Sequence, residues 1–387
     1  MATYNVMTAY GALNNNSTDD APAINNAIAA ANAAGGGEVF FPSGAGYRIN
    51  SALTTPNSEV SLVGEGWEAS KIRADFNGDT LVLANSESRH INRLGFQPRR
   101  AKTSGREIVL NNCLSIYLDD LNILDDPANG FKPYQGIAML ANGAQYKYWL
   151  QRVQVNGCDR EGLTIGAPGG GLVQGVWLDN CEFARNYDGV TLFNGGGILI
   201  EGSEFLQNRN HGLATWISLG DELAGLDMVQ CYSDTNGGQG YAVISNGGSL
   251  SNLHFNQCWG GSNGGRGIWL SDACHDVSLD QCSFGNNGEQ GALISGENID
   301  VSNCRFSANG TSASNAFDGC LAMAALVSGN FVGNRFGGRL KNFPDVQKYG
   351  FASVAGANYS IIGNVASNNL TGGYFLGAAP VVNSGNW

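Results

Sequence analysis

Short runs of alternating apolar and polar residues repeat through the middle of the chain. Copies of one pattern, in which an alternating strand precedes Asn or Gln with Cys, a polar turn and a glycine, occupy residues 176–193, 226–244, 253–270 and 277–294. Glycines at equivalent places lie 23 to 28 residues apart; they are Gly162, Gly189, Gly212, Gly240, Gly267, Gly291 and Gly319. Strands this short cannot bury a face alone, so the pattern predicts copies stacked as the rungs of a coil of parallel strands.

The first residues follow a different pattern. Two aspartates and Pro22 precede an Ala-rich segment with Ile24 and Ile28 four residues apart, which predicts a helix capped at its start and ended by the glycines at 35–37. A short strand is expected at 38–41, and the helix would plug the open end of the coil. We therefore predict one continuous domain with a cap and first strands at 1–60, regular rungs at 61–310, and less regular rungs and loops at 311–387.

Two ranks of equivalent residues are expected along the coil, the first pointing inward and the second at the corners. Ser203 occupies a place in the first rank, which otherwise consists of Cys181, Cys231, Cys258, Cys282 and Cys304. The second rank lies four residues before the glycines and consists of Asn208, Asn236, Asn263 and Asn287. The nine cysteines follow the repeat instead of a disulfide or metal-binding spacing, so packing is the preferred interpretation. The Asn amides are expected to satisfy backbone groups at corners.

Charge and composition restrict the possible partners. A net charge of −12 argues against binding nucleic acid, and it favours neutral or mixed sugars over polyanions unless a local basic patch or a bound cation intervenes. No apolar stretch is long enough to span a membrane, and residues 1–16 show no signal segment. We expect a soluble protein that is either extracellular or associated with a virion. An extracellular location would require another export route or a leader that has been removed.

The segment at 10–49, together with SLVGEG at 61–66, closely resembles the opening of the pectate-lyase-like β-helix superfamily. Its members include polygalacturonase-type hydrolases, mannuronan epimerase modules, polysaccharide lyases and phage tailspike depolymerases. The resemblance implies an all-β, right-handed parallel β-helix (solenoid) with a short N-terminal capping α-helix. It also implies a polysaccharide substrate and, from the tailspikes, a homotrimer.

One motif is similar to the epimerase modules in particular. NRNHG at 208–212 resembles their His before a rung glycine, which gives His211. Where those enzymes carry a Tyr-Gly-x-Asp-Pro-His signature, this chain has Glu-Gly-Leu-Thr-Ile-Gly at 161–166, without the catalytic Asp and His. This departure counts against epimerase and alginate-lyase chemistry.

A row of polar residues is the predicted catalytic feature. The residues just before the rung glycines are Glu161, Asp188, His211, Gln239, Arg266, Gln290 and Asp318. Stacked rungs would place Glu161 and Asp188 about 5 Å apart. Two carboxyls at that separation cannot both ionise freely, which is the acid and base asymmetry that glycoside hydrolysis uses. Retention and inversion of configuration both stay open, and so does the alternative that the row only caps solvated corners.

The strands after these glycines are expected to alternate, so one set of side chains points out. That set comprises Thr164, Thr191, Phe193, Trp216 and Trp269, while Leu163, Val190, Leu213 and Ile268 point inward. Trp216 and Trp269 are the candidate sugar contacts, with Phe193, Gln239 and Arg266 as further substrate-binding residues. A subunit interface is the alternative for the outward aromatics. Asp221 and Glu222, just after Trp216, form a reserve catalytic pair.

Three functions follow from these features. The first is an endo-acting polysaccharide depolymerase, a glycoside hydrolase that cleaves by carboxylate acid–base chemistry in a lateral groove, with His211 and Arg266 positioning the sugar. The second is a lyase or epimerase-like enzyme that uses His211, and the third is a noncatalytic polysaccharide-binding spike or adhesin. We expect no metal and no cofactor. Calcium at the acidic segment 119–126 is the alternative, and turn capping explains that segment better.

Overall fold

The computed structural model describes residues 2–55, 59–143, 145–338, 343 and 346–387. Its contacts divide the chain into two units, Met1–Tyr187 and Asp188–Trp387. In both units each rung supplies short strands to three parallel sheets, and each strand pairs with its counterpart one rung away. Each unit is a right-handed parallel β-helix, so the predicted fold class is confirmed, while the predicted internal boundaries stay predictions.

The three sheets are numbered in the order in which the chain enters them after each rung glycine. In the first unit, sheet 1 contains Leu53–Thr55, Leu81–Ala84, Arg106–Asn111, Gln135–Leu140 and Leu163–Ile165. Sheet 2 contains Thr3–Asn5, Gly37–Phe41, Val60–Gly64, Glu87–Asn92, Leu114–Asp119, Gln145–Gln151 and Val173–Asp179. Sheet 3 contains Tyr47–Ile49, Lys71–Ala74, Gly95–Pro98, Asn122–Ile123, Gln154–Asn156 and Glu182–Ala184.

The second unit repeats this arrangement. Its sheet 1 contains Val190–Leu192, Leu213–Ser218, Tyr241–Asn246, Ile268–Leu270, Cys320–Leu326, Tyr349–Ser353 and Gly372–Leu376. Its sheet 2 contains Gly195–Glu201, Glu222–Val229, Ser249–Asn256, Cys274–Asp280, Gly329–Val332, Ser360–Ile362 and Val382–Ser384. Its sheet 3 contains Glu204–Leu206, Tyr232–Asp234, Trp259–Gly261, Ser283–Gly285, Arg305–Ser307, Arg335–Gly337 and Val365–Ser367. One long strand, Ala292–Ser302, pairs first in sheet 1 and then in sheet 2, and it changes register near Gly296, whose φ is +106°.

The helix Ala21–Ala33 is the one helix among the described residues, and it is too short and too polar to cross a membrane. Its apolar side buries Ile24 and Ile28 against the first strands of the unit, as the capping prediction requires. The side-chain cap comes from Asp19, whose Oδ1 accepts a hydrogen bond from the backbone N–H of Ala21, the first helical residue, at 3.2 Å. Asp20, at the N-cap position, makes no side-chain bond to the helix. Its carboxylate accepts hydrogen bonds from the backbone N–H groups of Leu13 (2.7 Å) and Asn14 (3.1 Å), which tie the preceding loop to the start of the helix.

The two predicted ranks are present in the core. All nine cysteines are buried. In the second unit Cys231, Cys258 and Cys282 each donate from the thiol to a carbonyl of sheet 2 one rung earlier, at 3.3 to 3.4 Å. Because the same contact recurs on successive rungs, the thiols form a packed column, as the sequence predicts.

The asparagine rank is a continuous hydrogen-bonded ladder. The amide oxygen of Asn263 accepts from both the backbone N–H (3.1 Å) and the side-chain Nδ2 (2.9 Å) of Asn236, and the same two bonds link Asn263 to Asn287. The ladder continues through Asn309 to Gln347. Buried polar groups must be paired, so each amide depends on its neighbours.

Replacing Asn263 with alanine should lower the free energy of unfolding by about 2 kcal/mol, because two buried donors of Asn236 lose their acceptor. Urea denaturation of the purified variant measures this difference. Asn256, an exposed residue on the preceding sheet 2 strand, is the matched control, and its change to alanine should cost less than about 0.5 kcal/mol. Equal losses in the two variants would show that the ladder adds no stability of its own.

Candidate functional site

The polar residues before the strands of sheet 1 form a vertical row in the second unit. Backbone N–H groups of the rung glycines donate to carbonyls of the row on the next rung, from Gly189 to His211 (3.0 Å), Gly212 to Gln239 (3.1 Å) and Gly240 to Arg266 (2.8 Å). The repeated hydrogen bond makes His211, Gln239 and Arg266 successive neighbours.

Asp188 supports the start of this row. Its side chain is buried, and Oδ1 accepts hydrogen bonds from the backbone N–H of His211 (2.8 Å) and from Nδ2 of Asn210 (3.0 Å). Such bonds favour a carboxylate and fix the donors around it. Asp188 therefore holds the backbone of His211 in place.

His211 is locked in one neutral form. Its Nδ1 lies 3.0 Å from the backbone nitrogen of Gln239, and a backbone N–H can only donate, so Nδ1 is the acceptor. In the neutral ring the hydrogen is then on Nε2. Burial lowers the pKa of His211 to about 4, so the ring is neutral near pH 7. His211 thus offers a hydrogen-bond donor and lacks a free nitrogen that could take up a proton.

Trp216 lies beside this imidazole. The two ring centroids are 6.2 Å apart with planes inclined by 45°, and 38% of the Trp216 surface is exposed. Trp216 follows the buried Thr215 in the strand Leu213–Ser218, so alternation turns its indole outward, as predicted. A donor next to an exposed indole is an arrangement that suits a sugar, whose faces are apolar and whose edges carry hydroxyls.

Arg266 and Trp269 contact each other further along the row. The guanidinium lies 5.1 Å from the centre of the Trp269 ring, with Nε donating to Gln290 (3.0 Å) and Nη2 paired with Glu289 (2.7 Å). Burial lowers the pKa of Arg266. The cation covers one ring face of the half-buried Trp269, so this indole supports the arginine and offers less open surface than Trp216.

Glu161 belongs to a similar row in the first unit. Its side chain is half-buried, and Oε2 accepts a hydrogen bond from Nε2 of Gln135 (3.2 Å), whose Oε1 in turn accepts from Nε of Arg106 (3.1 Å). The carboxyl of Glu161 is therefore partly accessible to solvent, and the hydrogen bond from Gln135 orients one of its two oxygens. Its proposed pairing with Asp188 stays a prediction from the sequence, because the two residues belong to different units.

The outward residues are less exposed than the alternation suggests. The inward positions Leu163, Val190, Leu213 and Ile268 are fully buried, as predicted. The expected exposure of Thr164 and Thr191 is wrong, since both are buried, and Phe193 is half-buried. For Thr164 the physical reason is its neighbour, because the amide of Gln135 donates to its hydroxyl at 2.6 Å and covers it.

The reserve pair occupies a turn. Asp221 is half-buried and lies between the strands Leu213–Ser218 and Glu222–Val229, where its backbone bonds to Ser218 and Ser249. Glu222 is exposed at the start of the second strand. Their catalytic role stays a prediction.

Two aspartates of the acidic segment 119–126 are paired with arginines. Asp119 pairs with Arg152 (2.5 Å) and Asp126 with Arg73 (2.7 Å). In the described parts of the chain, no group of three or more His, Cys, Asp or Glu residues could hold a metal ion. The carboxylates of Asp119 and Asp126 therefore act in ion pairs, the first half-buried and the second buried.

A stack of aromatic rings on sheet 2 of the first unit was not predicted from the sequence. It consists of His90, Tyr117, Trp149 and Trp177. A signal was available, because each strand carries an aromatic residue, then Ile or Leu, then Asn, Asp or Gln, as in HIN, YLD, WLQ and WLD. Of the four rings, only Trp177 lies within one of the predicted repeat copies, at 176–193.

Comparison with known proteins places the chain among carbohydrate-related β-helices. The family described as rhamnogalacturonase A/epimerase, pectate lyase-like matches residues 3–214. No curated protein matches the chain in sequence. Among solved structures, the A-module of the mannuronan C-5 epimerase AlgE4 from Azotobacter vinelandii is similar, with a TM-score of 0.67 and 18% identity over 100% of this chain and 97% of that one.

Two further structures extend the range of relatives. Tailspike protein 3 of bacteriophage CBA120 has a TM-score of 0.68 and 11% identity over 99% of this chain and 61% of its own. The catalytic unit of an α-1,3-glucanase from Streptomyces thermodiastaticus has a TM-score of 0.55 and 14% identity over 100% and 69%. At such identities these likenesses show the fold alone.

Proposed function

We propose a function for this chain from the premise that it belongs to the rhamnogalacturonase A/epimerase, pectate lyase-like family. The chain is an endo-acting polysaccharide depolymerase that cleaves glycosidic bonds on the outer face of sheet 1. Support for a carbohydrate substrate comes from the structural relatives, two of which are by name an epimerase and a glucanase. Fold likeness alone does not assign chemistry, so the residues of the row have to carry the proposal.

The observation that carries it is the locked imidazole beside an exposed indole. Trp216 supplies an apolar surface for a sugar ring, and Nε2 of His211 donates to a ring oxygen or hydroxyl. A fixed donor in a partly dry site can stabilise negative charge that develops on oxygen during bond cleavage. Asp188 keeps this donor in position through the backbone of His211.

Hydrolysis is favoured over the lyase and epimerase alternative. Both of those reactions need a base that removes a carbon-bound proton. His211 does not meet that need, because Nδ1 already accepts a hydrogen bond and Nε2 carries the hydrogen. Proton transfer is therefore assigned to carboxylates, with Glu161 and Asp188 first and Asp221 and Glu222 in reserve.

The products test this function. Incubation with laminarin, dextran and alginate should release new reducing ends from at least one of them, without the ultraviolet absorbance of an unsaturated uronate. Absorbing products would contradict hydrolysis and favour a lyase. Binding with no product from any of the three would favour a noncatalytic spike.

Substitution of the carboxylates tests their assignment. Glu161→Gln and Asp188→Asn should each slow cleavage about 100-fold, in the range expected for loss of an acid or base. Glu201→Gln, at an exposed position on sheet 2, is the control and should cleave at the wild-type rate. Full activity in both carboxylate variants would move proton transfer to the reserve pair.

A place outside the cell or on a virion is proposed on the same basis, and so is a homotrimer. Their support is the likeness to a phage tailspike. Sedimentation of the purified protein would reveal the trimer directly.

A further inference from the structure

Four aromatic rings form a stack on the outer face of sheet 2 in the first unit. Successive ring centroids are 4.4 Å apart from His90 to Tyr117, 4.3 Å from Tyr117 to Trp149, and 4.9 Å from Trp149 to Trp177. The planes are inclined by only 15°, 3° and 9°. These separations match the spacing of parallel strands, so each rung contributes one ring to a regular column.

The stack exposes ring edges and leaves few ring faces free. Tyr117 and Trp149 have neighbours on both faces, so their outer edges are what a ligand can reach. An aromatic edge carries partial positive charge and attracts oxygen atoms. The column therefore forms a strip that is apolar and also suited to hydroxyl oxygens.

A row of hydrogen-bonding side chains runs parallel to the strip. Asp119, Gln151 and Asp179 are in register two residues beyond the rings, and residues two apart on a strand share a face. The rings, this row and the backbone between them line a groove of about 310 Å³. The groove crosses four rungs, which gives it the shape for an extended chain.

Polar atoms on both sides of the groove can bind a ligand. Among the described residues, the indole N–H groups of Trp149 and Trp177 and the hydroxyl of Tyr117 take part in no side-chain hydrogen bond. On the opposite side Asp179 accepts from Gln151 at 2.9 Å, which aligns the two. A ligand with many hydroxyls can donate to the carboxylates and accept from the indoles.

We propose that this groove binds a neutral polysaccharide chain running along the coil, at a place separate from the polar row of sheet 1. The identification of the ligand as a carbohydrate rests on the proposed function, whereas the groove and its polar atoms do not. No lysine or arginine lines the groove. Of its two aspartates, Asp119 is paired with Arg152, so the negative charge of Asp179 is the one that disfavours a polyanion. Such a site would hold a long substrate on the protein between cleavage events.

Affinity electrophoresis tests the groove. Native gels containing laminarin or dextran should retard the wild-type protein, and gels containing alginate should not. The double variant Gln151→Ala with Asp179→Ala changes the row beside the rings and leaves the core intact, and its dissociation constant should rise about 10-fold. Trp149→Ala should weaken binding as well. Tyr146→Ala is the matched control, because Tyr146 is exposed on the same strand outside the groove lining and should bind as the wild type does.

The outcomes separate this proposal from the function proposed above. Unchanged retardation of the double variant, with cleavage intact, would overturn the groove and leave the depolymerase standing. Retardation lost in the double variant while Asp188→Asn still binds and no longer cleaves would support both. If the wild type neither binds nor cleaves laminarin, dextran or alginate, the carbohydrate proposal itself fails. A self-association that disappears in Trp149→Ala would overturn glycan binding in favour of a second copy of the chain.

Discussion

Replacing Lys102 with methionine is expected to lower the free energy of unfolding by about 3–5 kcal/mol, because it leaves a buried carboxylate without its counter-ion. Lys102 and Glu107 are both fully buried, with Nζ and Oε1 2.8 Å apart. Thr80 completes the cluster, as its hydroxyl accepts from Nζ at 2.9 Å and donates to Oε2 of Glu107 at 2.6 Å. The three side chains satisfy one another inside the first unit, where water is excluded.

Chemical denaturation of four proteins would measure this cluster. Lys132→Met is the matched control, since Lys132 is half-buried with its Nζ 3.9 Å from Oδ1 of Asp159, and the variant should lose less than about 1 kcal/mol. The double variant Lys102→Met with Glu107→Met should recover most of the loss, because a buried ion pair can be replaced by apolar side chains at little cost. A single variant as stable as the control would show that the carboxyl finds another partner or a proton.

Acidification should destabilise the protein through His211 by about 3 kcal/mol. The pKa of His211 is about 4 in the folded protein against 6.5 for the free side chain, and each unit corresponds to about 1.4 kcal/mol. The unfolded chain binds the proton first as the pH falls. The contribution of the neutral His211 to the free energy of unfolding is therefore fully present above pH 6.5 and is lost progressively as the pH falls to about 4.

Comparison with His211→Gln isolates this contribution, because all other titrating groups cancel in the difference. Urea denaturation at pH 7 and pH 4 should show that the wild type loses about 3 kcal/mol more than the variant. His254→Gln is the control, because His254 is exposed on sheet 2 of the second unit. Equal acid losses in the wild type and in His211→Gln would mean that the imidazole is solvated and free to accept a proton, and the donor role proposed for it would fail too.

The repeat could be predicted from the sequence because equivalent positions on stacked rungs have the same surroundings and therefore favour the same residue types. Asn236, Asn263 and Asn287 recur at one position, and their ladder follows from the need to pair buried amides. The helix Ala21–Ala33 was predictable for a similar reason, since Ile24 and Ile28 mark one buried side. Which of the two aspartates caps the helix was not predictable, because Asp20 bonds to a loop whose path the local sequence does not specify.

The order of residues alone specifies the coil, its capping helix, the two ranks and the row of polar residues before the glycines. These features depend on the spacing of the repeat, which can be read directly from the order of residues. The bonding partner of each polar residue depends on the folded chain, since partners such as His211 and Gln239 are 28 positions apart in sequence and are joined by a hydrogen bond between rungs. That bond sets which nitrogen of the imidazole carries the hydrogen. Its donor role therefore depends on contacts between rungs.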